Sequence, residues 1–153
     1  MKILVVYFSQ GGNNEKIAKE LQEKLDSDID RVTDSKGKRG FFGGGYSAAS
    51  KKETQVQFSA DPAAYDTVIV VSAVWAGSLP PATRSYLKEN RDKFKQAAFV
   101  SVCLRGEENR NILTDFEAAG GTLPAASLLI KVSKVAAETT EQMKEAFIKR
   151  IQA

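Results

Sequence analysis

The stretch YDTVIVVSAVWAGSLPPATRSYL, residues 65–87, holds a whole strand–loop–helix unit. Thr67 to Ala73 is apolar and β-branched almost throughout, the composition of a strand buried on both faces, as in a parallel sheet. A short loop with Trp75 and Gly77 follows. Pro80 and Pro81 then open a helix expected to reach about Phe94, since proline is tolerated in a first helical turn.

The same alternation recurs on either side. Lys2 to Phe8 is a second buried run, and from Asn13 the period changes. Ile17, Leu21 and Leu25 recur every four residues, with Glu15, Lys19, Glu20 and Lys24 on the other faces, as in an amphipathic helix. Ile29 to Val32 reads as a short strand, Gln55 to Phe58 as an extended piece, and Asp61–Pro62 as a turn or helix start. Ala98 to Cys103 is a further strand. A helix from about Glu108 to Ala119 is stopped by Gly120–Gly121. Ser127 to Val132 is a strand. A last helix starts near Thr139, with Gln142 at capping-box spacing and Met143, Phe147 and Ile151 as its apolar stripe.

Strand and helix in alternation imply an α/β fold with a parallel sheet and, through right-handed crossovers, helices on both faces. Ligands of such sheets bind outside the carboxyl ends of the strands. The loops Ser9–Asn14, Val74–Pro81 and Leu104–Asn109 are therefore the ones to watch. With no repeat and no linker, residues 1–153 are expected to form one domain.

Composition narrows the chemistry. The chain has no histidine, which removes histidine bases, Ser-His-Asp triads and most zinc sites. Its single cysteine, Cys103, excludes an internal disulfide. The net charge of +3 is mild. A local excess at Lys36, Lys38, Arg39, Lys51 and Lys52 reads as a solvated loop face, so no nucleic-acid partner is expected. No apolar run approaches the about 20 residues that span a bilayer, and MKILVVYF reads as a strand, so a cytoplasmic protein without a membrane partner is expected.

The loop SQGGNN, residues 9–14, lies between a buried strand and a helix N-terminus. Such termini carry unpaired N–H groups and a partial positive charge, which suits a phosphate. Gly11 and Gly12 allow close backbone approach, and Ser9, Asn13 and Asn14 offer side-chain donors. The Gly-Lys-Ser/Thr end of a Walker loop and the third glycine of the dinucleotide fingerprint are both missing. An ordinary turn with an asparagine capping the helix remains open. Residues 34–53, rich in Gly, Lys and Ser, read as a long loop with a helical turn at Tyr46–Ser50, and the glycines at 40–45 as flexible chain.

Taken in order, these segments resemble the flavodoxin-like family. Tyr65, Asp66, Val74, Trp75, Ala76, Gly77, Pro80, Pro81, Arg84 and Leu87 match its middle segment. Ser9, Gly12 and Asn13 match its phosphate loop, where Gly11 and Asn14 replace two hydroxyl residues. The segment 98–130 is similar more loosely. The resemblance implies a five-stranded parallel sheet in the order 2-1-3-4-5, the doubly wound order of which flavodoxin is a standard example, with FMN at its C-terminal edge. It implies a phosphate site at Ser9, Gln10, Gly11, Gly12, Asn13 and Asn14. It implies a flavin site at Ala73, Val74, Trp75, Ala76 and Gly77, and contacts from Cys103, Leu104, Arg105 and Gly106 to the pyrimidine edge. Trp75 would be a stacking wall, although a core tryptophan remains open. The Ala76–Gly77 peptide would turn its carbonyl toward flavin N5 when that nitrogen gains a proton. The third loop has no aromatic, so a second wall would have to come from Phe41, Phe42 or Tyr46. Cys103 reads as either a small buried residue or a redox group.

Response regulators share the strand order but need acidic residues where Tyr7–Ser9 and Ala73–Val74 stand. Small tyrosine phosphatases need a Cys and an Arg in the first loop, and it has neither. Three functions fit: an FMN electron-transfer protein with a redox partner protein or small-molecule acceptor, an FMN-dependent NAD(P)H:quinone-type oxidoreductase, and a binding domain of this fold that has lost FMN. The pI near 8.9 is unlike acidic electron shuttles and calls for a different partner or an anionic nucleotide.

Overall fold

The structure, a computed structural model, describes residues 1–37 and 53–153. Five parallel strands form one sheet: β1 (Ile3–Phe8), β2 (Asp28–Arg31), β5 (Thr67–Ser72), β6 (Ala97–Cys103) and β7 (Ala126–Lys131), in the order β2-β1-β5-β6-β7. Two short strands, β3 (Thr33–Asp34) and β4 (Val56–Gln57), pair antiparallel outside it. Without that ribbon, the order is the expected 2-1-3-4-5. The long helices are α1 (Asn13–Leu25), α2 (Pro81–Glu89), α3 (Ile112–Gly120) and α4 (Glu138–Gln152).

The uniformly apolar strands are buried because helices cover both faces of the sheet. Ile3, Val5 and Tyr7 point to one face with Ile17 and Leu21 of α1 and Phe147 and Ile151 of α4. Leu4, Val6 and Phe8 point to the other with Tyr86 and Leu87 of α2 and Ile112 and Phe116 of α3. Alternation with period two therefore feeds two cores from each central strand.

Helix ends depart from the sequence reading at three places. The helix expected from about Glu108 starts at Ile112, because Gly106–Asn109 form a separate 3-10 turn. The helix expected to reach Phe94 ends at Glu89, because the buried Asn90 turns its side-chain amide back onto the Tyr86 carbonyl (2.9 Å). Asparagine competes with the backbone for hydrogen bonds in this way, and the chain leaves the helix in tight turns. The capping box at Thr139 is not formed. The helix starts one residue earlier with Ala137 as its cap, and it is Thr140 whose hydroxyl donates, to the Lys134 carbonyl.

The extended piece at 55–58 is the strand β4. Asp34 is buried at the ribbon, where its carboxylate accepts from the Lys36 N–H and the Thr54 hydroxyl, both at 2.9 Å. Thr54 in turn donates its N–H to Ser85 Oγ of α2 (2.8 Å). The flanks of the long loop are thus fixed to the domain. The glycine run at 40–45, the turn at Tyr46–Ser50, and the aromatics Phe41, Phe42 and Tyr46 lie outside the described residues.

Tyr86 is fully buried, its ring in an edge contact with Phe58 at 5.0 Å, and its hydroxyl has no hydrogen-bond partner. Burial holds its pKa well above the usual tyrosine value. Tyr86→Phe removes this stranded polar atom and is expected to raise stability by about 1 kcal/mol. A urea midpoint below that of the parent would contradict this.

Candidate functional site

Parallel strands place their following loops on one edge. Phe8 pairs with Ser72, so β1 and β5 end at one level, while Val71 pairs with Val100 and β6 runs on to Cys103. The chain turns back on opposite sides of the β1–β5 pair, the switch point at which an open α/β sheet leaves a crevice.

The first loop ends at Gly12, which sits at φ 91° as the N-terminal cap of α1. No asparagine caps the helix. Instead Ser9 Oγ accepts the Gly12 N–H at 3.1 Å, and the Ser9 hydroxyl keeps its own proton to donate elsewhere. The helical ladder begins with the Lys16 N–H on the Gly12 carbonyl. The N–H groups of Asn13, Asn14 and Glu15 therefore have no partner within the helix and sit at its positive end. Asn13 and Gly11 are exposed, and Ser9 and Gln10 are half-buried. The one acid of this turn, Glu15, accepts the Tyr7 hydroxyl at 3.0 Å and lies 3.6 Å from Lys19. The Tyr7 hydrogen bond and the Lys19 charge hold its carboxyl below the usual range, so its charge is already answered.

Asn14 does not fit the expected role. It is buried, and its side chain both donates to the Val102 carbonyl (3.2 Å) and accepts the Val102 N–H (2.8 Å). The reason lies in strand length. β5 stops at Ser72, so the groups that Val102 of β6 turns to that side have no strand to meet. The Asn14 amide takes the place of the missing peptide. Its side chain is therefore a brace between α1 and β6, and only its backbone N–H serves the helix N-terminus.

The second loop is a tight two-residue turn. Trp75 and Ser78 exchange backbone hydrogen bonds at 2.9 and 3.0 Å, with Ala76 at φ 49° and Gly77 at φ 73° between them. Two central residues in the left-handed region are the pattern of a type I′ turn. Glycine suits that conformation and alanine does not. Ala76→Gly is expected to raise stability by up to about 1 kcal/mol, read as a higher urea midpoint with an unchanged slope. Trp75 is half-buried and meets Phe8 edge to face, with ring centroids 5.6 Å apart. It is thus part core and part surface, beside the residue that precedes the first loop. Ala73 and Val74 are half-buried, and Ala76 and Gly77 are exposed.

The loop is tied down at both ends. Before it, the Ser72 hydroxyl donates to the Ala73 carbonyl (2.9 Å), and the buried Thr83 hydroxyl lies 2.6 Å from Ser72 Oγ. After it, the Leu79 N–H donates to Asp115 Oδ2 of α3 at 3.0 Å. The same oxygen receives Arg84 of α2 at 2.9 Å, with the two side chains 3% and 10% exposed for Arg84 and Asp115 respectively. Arg84 belongs to the resemblance. Asp115 has no signal in the sequence, since Leu79 and Arg84, which it holds, are each more than 30 residues away.

The third loop divides. Gly106 is buried at φ 54°, and a Cβ there would fall 2.9 Å from the Lys131 nitrogen, so it packs on β7, away from the other two loops. Cys103 is buried too. Its sulfur receives Asn109 Nδ2 at 3.3 Å and faces the Gly106 carbonyl at 3.9 Å. That matches the small buried residue. Leu104 and Arg105 are exposed. Two cavities, of 430 and 320 Å³, lie elsewhere, along the outer edge of β7 and between β2 and α1. The candidate site is an open edge formed by loops. Among the described residues there is no group of three His, Cys, Asp or Glu able to hold a metal, and no helix long and apolar enough to cross a membrane.

No protein-family model and no curated protein sequence matches the chain. Solved structures do. A flavoprotein in complex with FMN from Lactobacillus acidophilus is 19% identical with a TM-score of 0.73, over 88% of this chain and 95% of that one. The oxidised flavodoxin 2 of Bacillus cereus is 20% identical with a TM-score of 0.61, over 99% of each chain. The flavodoxin of Streptococcus pneumonia TIGR4 is 18% identical with a TM-score of 0.63, over 99% and 98%. The fold is the flavodoxin-like fold.

Proposed function

We propose that this chain of flavodoxin-like fold holds FMN, non-covalently, at the C-terminal edge of its sheet and serves as an electron-transfer protein. The observation that carries the reading is the start of α1. A glycine cap, unpaired N–H groups on Asn13, Asn14 and Glu15, the Ser9 hydroxyl and the exposed Asn13 amide form a donor set for a phosphate. The donors are backbone or neutral, so the helix N-terminus itself supplies the positive field. The structural neighbour with FMN supports the same cofactor.

The rest of the site divides the work. Trp75, braced by Phe8, offers ring surface to a flat aromatic ligand, and its turn brings the Ala76–Gly77 peptide beside it. Leu104 and Arg105 are the third-loop residues open to the edge. Cys103 and Gly106 shape that loop from within. FMN, when bound, supplies the electron-carrying chemistry, and the protein supplies position and electrostatics.

Trp75→Ala is expected to weaken FMN binding by about tenfold to a hundredfold, the loss of one stacked ring. Flavin fluorescence quenching measures it. Unchanged affinity would remove Trp75 from the site. Absence of NAD(P)H oxidation with a quinone acceptor is expected of a pure electron carrier, and its presence would point to an oxidoreductase.

A further inference from the structure

We infer that the surface formed where β6 and β7 end is a docking site for an acidic protein partner. Cys103 pairs with Lys131, and Gly106 packs against the Lys131 backbone, so the segments that follow the two strands lie side by side. They expose three apolar side chains, Leu104 at 75%, Val135 at 38% and Val132 at 36%. Leu104 is the most exposed large apolar residue among the described residues, ahead of Met1 at 67%. Three cations stand among them: Arg105, Lys131 and Lys134, all exposed.

The three cations contrast with several others among the described residues. Lys19, Lys24, Lys88, Lys93, Lys95, Arg110 and Lys144 each have a carboxylate within salt-bridge distance. Arg105, Lys131 and Lys134 have none among the described residues. Of the nearby acids, Glu107 is held by Arg110 at 2.9 Å, and the exposed Glu108 and Glu138 leave a net positive surface. Exposed apolar side chains with a net positive rim suit a protein interface, and the sign of the rim selects the partner. A second copy of this chain would set like charges against each other. A bilayer is disfavoured because Glu108 shares the surface and the apolar side chains are few. Leu104 and Arg105 also border the proposed flavin site, whereas Lys131, Val132, Lys134 and Val135 lie on the segment after β7, so shifts at residues 131–135 report docking separately from flavin binding.

The test is an NMR titration of the isotope-labelled full chain with an oxidised plant-type [2Fe–2S] ferredoxin as the acidic probe and cytochrome c as the basic one. The ferredoxin is expected to shift the amides of Leu104, Arg105 and residues 131–135. Its affinity should fall at least tenfold between about 20 and 200 mM salt, across which the screening length shortens about threefold. The double variant Arg105→Glu, Lys134→Glu should abolish that binding. Leu104→Ser should weaken it with the salt dependence kept. No ferredoxin binding at low salt, shifts on another face, or equal binding of cytochrome c would overturn the proposal. So would tighter binding to vesicles of anionic lipid, or a dimer formed through this surface.

Discussion

Asp115→Ala is expected to lower the stability of the protein by roughly 3–5 kcal/mol, the usual cost of removing one partner of a buried ion pair. The carboxylate sits between two groups that need it. Arg84 is 3% exposed and loses its carboxylate partner, and the Leu79 N–H loses its acceptor. Neither can recover its bond from bulk water without opening the contact between α2 and α3. Asp115→Asn keeps the shape and an acceptor oxygen for Leu79 but not the charge, so it should fall between the two. For a chain of this length the alanine variant should melt roughly 10 °C below the parent. A loss below about 1 kcal/mol would mean that the pair is solvated and contributes as little as a surface salt bridge. The same oxygen fixes the residue after the Trp75–Ser78 turn, so the variant should also loosen that turn.

Asn14→Ala should cost roughly 2–4 kcal/mol, because it strands both the N–H and the carbonyl of Val102 in a buried place. Asn14→Asp separates the two contributions. A carboxylate still accepts the Val102 N–H but faces the Val102 carbonyl with a second acceptor, so it should be close to the alanine variant in stability. Equilibrium unfolding in urea reads both. Near-parent stability for Asn14→Ala would mean that water replaces the amide. In either variant the start of α1 is less firmly held against β6, and binding of a phosphate there should weaken with it.

The fold was legible because three different signals agreed. Runs such as Ile3–Phe8 and Thr67–Ser72 are too uniformly apolar for a one-sided sheet. Ile17, Leu21 and Leu25 recur at helical spacing. Gly121, in the left-handed conformation, closes α3 where a glycine pair stands. Local chemistry decided each of these. The boundaries that were missed depended on choices between neighbours. Asn90 stops a helix by bonding to a carbonyl one turn back, and Thr140 outcompetes Thr139 at the start of α4. Neither choice is written in spacing.

The candidate site was legible only as far as its backbone. Gly12, Ala76 and Gly77 lie in the loops expected of them, and the turn at 75–78 follows from the residues around Gly77. The side chains divided along tertiary lines. Asn14 was read as a ligand because its position in the loop is that of a donor, yet the early end of β5 gives it a different task. Asp115 was invisible, since it acts through Leu79 and Arg84 from another helix. Gly106 is needed for its approach to Lys131, a contact set by the pairing of β6 with β7.

The most direct test of the central claim is a titration of the purified apo-protein with FMN, followed by quenching of flavin fluorescence, beside riboflavin. The account predicts that FMN binds at least a hundredfold tighter than riboflavin, because the N–H groups at the start of α1 and the Ser9 hydroxyl engage the phosphate. Equal affinities would remove the phosphate from the first loop, and no binding of either flavin at micromolar protein would contradict the flavoprotein reading outright.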